Sequence, residues 1–162
     1  MIREAGGNDR EALGKVYCLS WKEGYRGILP AAYLDLLTPE SCAPKSIIPK
    51  NNLIAEWEGS VAGVVSFGPA RDEAPTNTGE IRAIYVLPEL WRHSLGKALF
   101  SAAAERMRGQ GMPSFYLWVL KDNVRARGFY EKMGMKNAGI DRVINIGGEN
   151  FYEIKYELLF PG

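Results

Sequence analysis

The 162-residue chain reads as one mixed α/β domain, and three observations carry that reading. Strand-like runs and helix-like periodicities alternate along it in the order β, α, α, β, β, β, α, β, α, β, β. No internal repeat, low-complexity tract or linker divides it, so residues 1–162 form a single domain. The length suits one core, large enough to bury roughly two thirds of the surface that the unfolded chain exposes.

The elements follow in order. Asn8 and Asp9 can cap a helix whose apolar residues Leu13, Val16, Tyr17 and Trp21 recur at three- and four-residue spacing before Gly24. Pro30 suits the first turn of a shorter helix that runs through Tyr33, Leu34 and Leu37 to a stop at Pro39. Residues 38–52 hold three prolines and little periodicity, which predicts a loop. Asn52 to Trp57 and Val61 to Pro69 are apolar, partly β-branched runs around Glu-Gly-Ser, a hairpin signal.

A third strand is expected over Glu80 to Leu87, ending at Pro88. The period then turns helical, with Leu95, Leu99, Ala102, Ala103 and Met107 on one face and Gly109 and Gly111 as a stop. Ser114 to Leu120 is aromatic and branched, and Asn123 can cap a helix bearing Ala126, Phe129, Tyr130 and Met133. Met135 to Ile146 and Phe151 to Leu159 flank Gly-Gly-Glu-Asn as a closing hairpin, whose edge offers a surface for a homodimer.

Composition narrows the partners. An apolar fraction of 46% with 24% charged residues excludes a disordered or fibrous chain. Twenty basic against nineteen acidic residues leave a net charge of +1, too little to wrap nucleic acid or an anionic membrane, so neither is expected as a partner. Cys18 and Cys42 read as reduced thiols, since a chain with this much core needs no staple and neither has a histidine in recognisable relation to it. The opening residues carry no leader pattern and no stretch approaches a membrane span, so the cytoplasm is the expected location. One histidine cannot build a metal site, and no metal is expected.

The chemistry concentrates between Val86 and Leu99, where a buried-looking strand passes to a helix through a turn. A helix N-terminus presents unpaired N–H groups and about half a positive charge, so it can hold a phosphate, with Arg92 and Lys97 assisting. On local sequence alone a plain strand-to-helix turn explains the segment equally well.

Trp91-Arg-His-Ser-Leu-Gly96 resembles the coenzyme A motif of the GNAT superfamily of N-acetyltransferases, Q/R-x-x-G-x-G/A, with Trp91 and Ser94 departing from it. Asn123-Val-Arg-Ala-Arg-Gly-Phe-Tyr-Glu-Lys-Met-Gly134 is similar to the family's N-x-x-A-x-x-F-Y-x-x-x-G-F signature. Together with the segment from Ser20 to Asp35, the resemblance covers almost the whole chain. It implies a central twisted, mostly antiparallel sheet flanked by helices, and acetyl-CoA as cosubstrate. The coenzyme would contact Trp91, Arg92, His93, Ser94, Leu95, Gly96 and Lys97 in the turn, and Asn123, Arg125 and Phe129 on the later helix. Backbone of Ile84, Val86 and Tyr85 would hold the pantetheine arm.

The resemblance also implies that Tyr130 lies beside the thioester sulfur, where a phenol can protonate the departing thiolate. A tyrosine on such an apolar stripe is otherwise core. Glu80 is the expected base for the acceptor's ammonium, sharing a strand face with Arg82, with an edge salt bridge as the alternative. Trp21, Tyr25 and Tyr33 are candidate contacts for a small-molecule or peptide amine. The implied reaction is direct attack by that amine in a ternary complex. A non-catalytic acyl-CoA sensor and a phosphate-ligand binder are the rival readings.

Overall fold

The computed structural model describes all of residues 1–162. One seven-stranded sheet organises it, in the spatial order β1-β2-β3-β4-β5-β7-β6. The strands are β1 (Ile2–Glu4), β2 (Asn52–Trp57), β3 (Ser60–Pro69), β4 (Gly79–Val86), β5 (Ser114–Leu120), β6 (Lys136–Ile146) and β7 (Glu149–Leu159). Every neighbouring pair is antiparallel except β4 and β5. The helices are α1 (Arg10–Gly24), α2 (Ala31–Asp35), α3 (Pro39–Cys42), α4 (Leu95–Gly109) and α5 (Val124–Lys132). None is long and apolar enough to cross a membrane.

The sheet is covered on both faces, which is why β2 and β3 read as continuous apolar runs. On one face α4 lays Leu99, Phe100, Ala103 and Met107 against Leu53, Val65, Phe67, Ile81 and Phe115. On the other, Leu13 and Val16 of α1 meet Ile54, Val64 and Leu87. The β2–β3 hairpin turns through Glu58 (φ 50°) and Gly59 (φ 80°), both left-handed, as a tight turn matching the strand twist requires.

The expected loop over residues 38–52 is corrected. It contains α3 and a 3-10 turn at Pro49–Asn51. Thr38 caps α3: its hydroxyl accepts the Ser41 N–H at 3.0 Å, and its own N–H donates to Ser41 Oγ at 3.0 Å. A four-residue helix is too short for any period to show. Asp9 stands at the start of α1 but does not cap it through its side chain. Its carboxylate accepts from the Gly6 N–H and from both terminal nitrogens of Arg3, tying β1 to the helix start.

Two irregularities in β4 set the geometry of everything after it. Ser66 pairs with Ala83 and Phe67 with Ile81, so Arg82 has no partner opposite it and forms a one-residue bulge. In register with β5, β4 pairs only through Gly79 with Phe115 and Glu80 with Tyr116. Beyond Glu80 the two strands part, while β5 stays paired with β7 along its whole length.

α1 crosses α3 at Gly14, where an added Cβ would lie 2.2 Å from the Pro39 carbonyl oxygen. Helix propensity alone makes Gly14→Ala a gain of about 1 kcal/mol. The close backbone approach reverses that sign, and urea unfolding should show Gly14→Ala less stable than wild type by about 1–3 kcal/mol.

Candidate functional site

The chain leaves β4 through a 3-10 turn at Pro88–Leu90 and enters α4 through two residues with left-handed backbone, Arg92 (φ 72°) and Ser94 (φ 61°). Each carries a Cβ where glycine is preferred, a strain of about 1 kcal/mol apiece. Side-chain contacts hold the turn in place. The Trp91 indole N–H donates to the Val86 carbonyl at 2.9 Å, and the Arg125 guanidinium lies 3.8 Å over the Trp91 ring. Ser20 of α1 donates to the same carbonyl at 2.9 Å. Trp91, the departure from the family motif, therefore has a structural task that its sequence position did not reveal.

Ser94 makes no side-chain cap, and the first helical bond runs from the Ala98 N–H to the Ser94 carbonyl at 3.1 Å. The N–H groups of Leu95, Gly96 and Lys97 are consequently unpaired at the positive end of a four-turn helix. They border a cavity of about 1140 Å³ that runs between the parted strands. Arg92 and Lys97 are exposed at its rim.

Backbone groups line the middle of this cavity. The Leu87 N–H bonds to the Ala62 carbonyl of β3 at 2.8 Å, and N–H direction alternates along a strand. Ile84 and Val86 therefore turn their N–H groups away from β3, toward the gap. The same alternation corrects the expectation for Tyr85, whose N–H faces β3. Its side chain reaches the site instead: the Tyr85 and Tyr25 hydroxyls stand 3.2 Å apart.

α5 forms the opposite wall. Asn123 caps it as expected, its Oδ1 accepting the Ala126 N–H at 3.2 Å, and is buried. Phe129 stacks edge-on against Tyr130 and Phe100. Tyr130 is 9% exposed, borders the cavity, and its hydroxyl has no hydrogen-bond partner within the protein. Burial pushes this phenol well above its ordinary pKa, so it is a neutral proton donor at neutral pH.

Of the three aromatic residues expected to meet an amine, Trp21 and Tyr25 line the cavity, whereas Tyr33 packs against Gly147 and does not. His93 is exposed beside Trp57 and outside the cavity lining. Glu80 does reach the cavity wall, but its partner is Arg71, not Arg82. Oε1 accepts from the Arg71 N–H and Nε at 3.0 and 3.1 Å, and Oε2 from Nη2 at 2.9 Å. The Arg82 guanidinium turns back along β3 to the Pro69 carbonyl at 2.8 Å, a consequence of its bulged position. Both cysteines are free, and burial pushes the Cys18 thiol up, away from reactivity.

Several residues here carried no sequence signal. Asp72, in the β3–β4 loop, accepts from Trp118 Nε1 at 2.8 Å and Tyr116 Oη at 2.9 Å and lies 3.6 Å from Arg142. Arg142 stacks 4.1 Å over Trp118 and donates to Glu153 at 2.8 Å. These contacts join loop, β5, β6 and β7 across one end of the cavity. They are pairings between distant segments, which local periodicity does not encode.

The sequence profile of the Acetyltransferase (GNAT) family matches residues 15–135. The chain belongs to the GNAT family of acetyltransferases. This GNAT chain is 38% identical over 125 residues to an uncharacterized N-acetyltransferase, YuaI, of Bacillus subtilis, covering 75% of this chain and 72% of that one. It is 27% identical over 161 residues to a spermidine N(1)-acetyltransferase of Thermoplasma acidophilum, covering 96% and 97%. Among solved structures, PaiA N-acetyltransferase of Thermoplasma acidophilum in complex with coenzyme A superposes with a TM-score of 0.75 at 24% identity, covering 99% and 98% of the two chains. The GNAT fold expected from the sequence is thus the fold found.

The Asp72 anchor titrates. Its donors, Trp118 first, hold the carboxyl below the ordinary carboxylate range, so its stabilising effect is full above the unfolded pKa of about 4 and is lost as pH falls through the folded value. Thermal melts of wild type and Asp72→Asn should differ most near neutral pH and converge as the buffer is taken into the acid range below the unfolded carboxylate value.

Proposed function

We propose that this GNAT enzyme transfers the acetyl group of acetyl-CoA to a primary amine of a small-molecule or peptide acceptor, by direct attack in a ternary complex. The observation that carries the reading is the continuity of one cavity past three unsatisfied features. These are the N–H groups opening α4, the gap-facing N–H groups of β4, and the Tyr130 hydroxyl. A long cosubstrate with a diphosphate, an amide-bearing arm and a thioester presents partners in that same order.

In this reading the N–H groups of Leu95, Gly96 and Lys97 receive the diphosphate, with Arg92 and Lys97 adding charge at the rim. Ile84 and Val86 bond the pantetheine arm as a neighbouring strand would. Asn123 has its Oδ1 committed to the cap, which leaves its amide N–H₂ to face the arm. Phe129 borders the arm. Trp91 and Arg125 keep the turn in shape, and Ser94 supplies its left-handed corner.

The thioester supplies the activated acetyl group. Tyr130, neutral and without a partner, donates its proton to the departing sulfur. Holding amine and thioester in line supplies much of the rate. The similarity to a spermidine N(1)-acetyltransferase over nearly the full chain supports a small-molecule amine as acceptor.

Isothermal titration of acetyl-CoA followed by free-thiol release with a panel of amines tests this. Wild type should bind acetyl-CoA and release thiol with at least one amine. Tyr130→Phe should bind acetyl-CoA as wild type does and lose on the order of 100-fold in kcat. Absence of acetyl-CoA binding would overturn the reading, and binding without release from any amine would favour a sensor.

A further inference from the structure

Two carboxylates border the cavity, Glu80 and Glu153, and they are placed very differently. Glu80 is 2% exposed, with both oxygens engaged by three Arg71 donors. To take a proton it must first break a bidentate ion pair that also anchors the start of the β3–β4 loop. Glu153 is on β7, opposite Leu120 of β5 and Arg142 of β6. Its side chain is 15% exposed, and only Oε1 is engaged, by Arg142 Nε at 2.8 Å. Oε2 accepts no hydrogen bond within the protein.

We infer that Glu153 is the residue that receives the acceptor's ammonium and its proton, a step that rests on the acetyl-transfer reading above. Arg142 holds it in place for this. The guanidinium is itself fixed by stacking on Trp118 and by Asp72, so it grips one oxygen of Glu153 and leaves the other open. Its single positive charge is shared between two carboxylates, so Glu153 keeps negative potential for an arriving cation.

Tyr25, whose hydroxyl stands 3.2 Å from that of Tyr85, lines the same cavity as Tyr130 and Glu153. The other charged groups facing this end are Arg71 and Asp72 of the β3–β4 loop, Lys155 of β7 and Arg125 of α5.

The proton accounting closes. The ammonium gives one proton to Glu153 Oε2, which later passes it to water. The freed lone pair forms the C–N bond, and collapse of the tetrahedral adduct breaks the C–S bond. The second nitrogen proton replaces the one that Tyr130 gives to the thiolate. The sum is amide, free thiol and one released proton.

The test compares wild type, Glu153→Gln, Glu153→Asp and Glu80→Gln with acetyl-CoA and two kinds of acceptor. Spermidine, benzylamine and glycine carry an ammonium at neutral pH, whereas hydroxylamine is uncharged there. Glu153→Gln should bind acetyl-CoA as wild type does by calorimetry. It should lose about 100-fold in kcat/KM with the ammonium acceptors and less than about 3-fold with hydroxylamine. Its remaining rate should climb with pH as the free-amine fraction climbs, and Glu153→Asp should restore part of it. Glu80→Gln should lower both acceptors by one common factor. Equal loss on both acceptors in Glu153→Gln, or no loss on either, overturns the assignment. Failure of wild type to turn over any acceptor strikes the transferase reading itself and the assignment with it.

Discussion

The parting of β4 from β5 is the constraint on which the rest of the molecule depends. Two residue pairs join these strands, and then the bulge at Arg82 bends β4 away while β7 keeps β5 in the sheet. A parallel pair is the one place where this costs little, since the chain needs a helical crossover there in any case. The crossover helix α4 then starts at the mouth of the opening it spans, with its unpaired N–H groups bordering the gap. Cavity, bare helix N-terminus and strand edge arise from a single departure from regular pairing.

Strain and rigidity meet at the turn before α4. Arg92 and Ser94 occupy backbone conformations that glycine would take without cost. The chain accepts this because Trp91 is fixed at both ends, by the Val86 carbonyl and by Arg125. The same logic appears at the far end of the cavity, where Asp72, Arg142 and Glu153 fix one another across three segments. Neither device is local in sequence, yet each positions groups that border the cavity.

Much of the fold was legible because its signals are local. Six of the seven strands and the two long helices follow from period, caps and turn residues, and Asn123 announces α5 as a capping residue should. α3 was missed because four residues carry no period. Two motifs single out the residues of the α4 turn and α5 that border the cavity, although His93 lies outside it and the Tyr85 N–H faces β3. The far end of the cavity was nearly silent. Glu80 attracts notice by standing on the right strand, but its salt bridge to Arg71 arises from a loop whose path no periodicity describes. Glu153 sits in an unremarkable alternating strand, and only the meeting of β6 with β7 supplies its Arg142 partner.

The Val86 carbonyl has a consequence beyond the shape of the turn. A strand parted from its neighbour is an internal sheet edge, with the same appetite for pairing as an outer one. Left bare, it invites β5 to zip closed against it or a foreign strand to enter. Ser20 and Trp91 both donate to that carbonyl, which blunts the edge at the end of β4. The protein thereby keeps a slot within its own sheet that is unattractive to another chain.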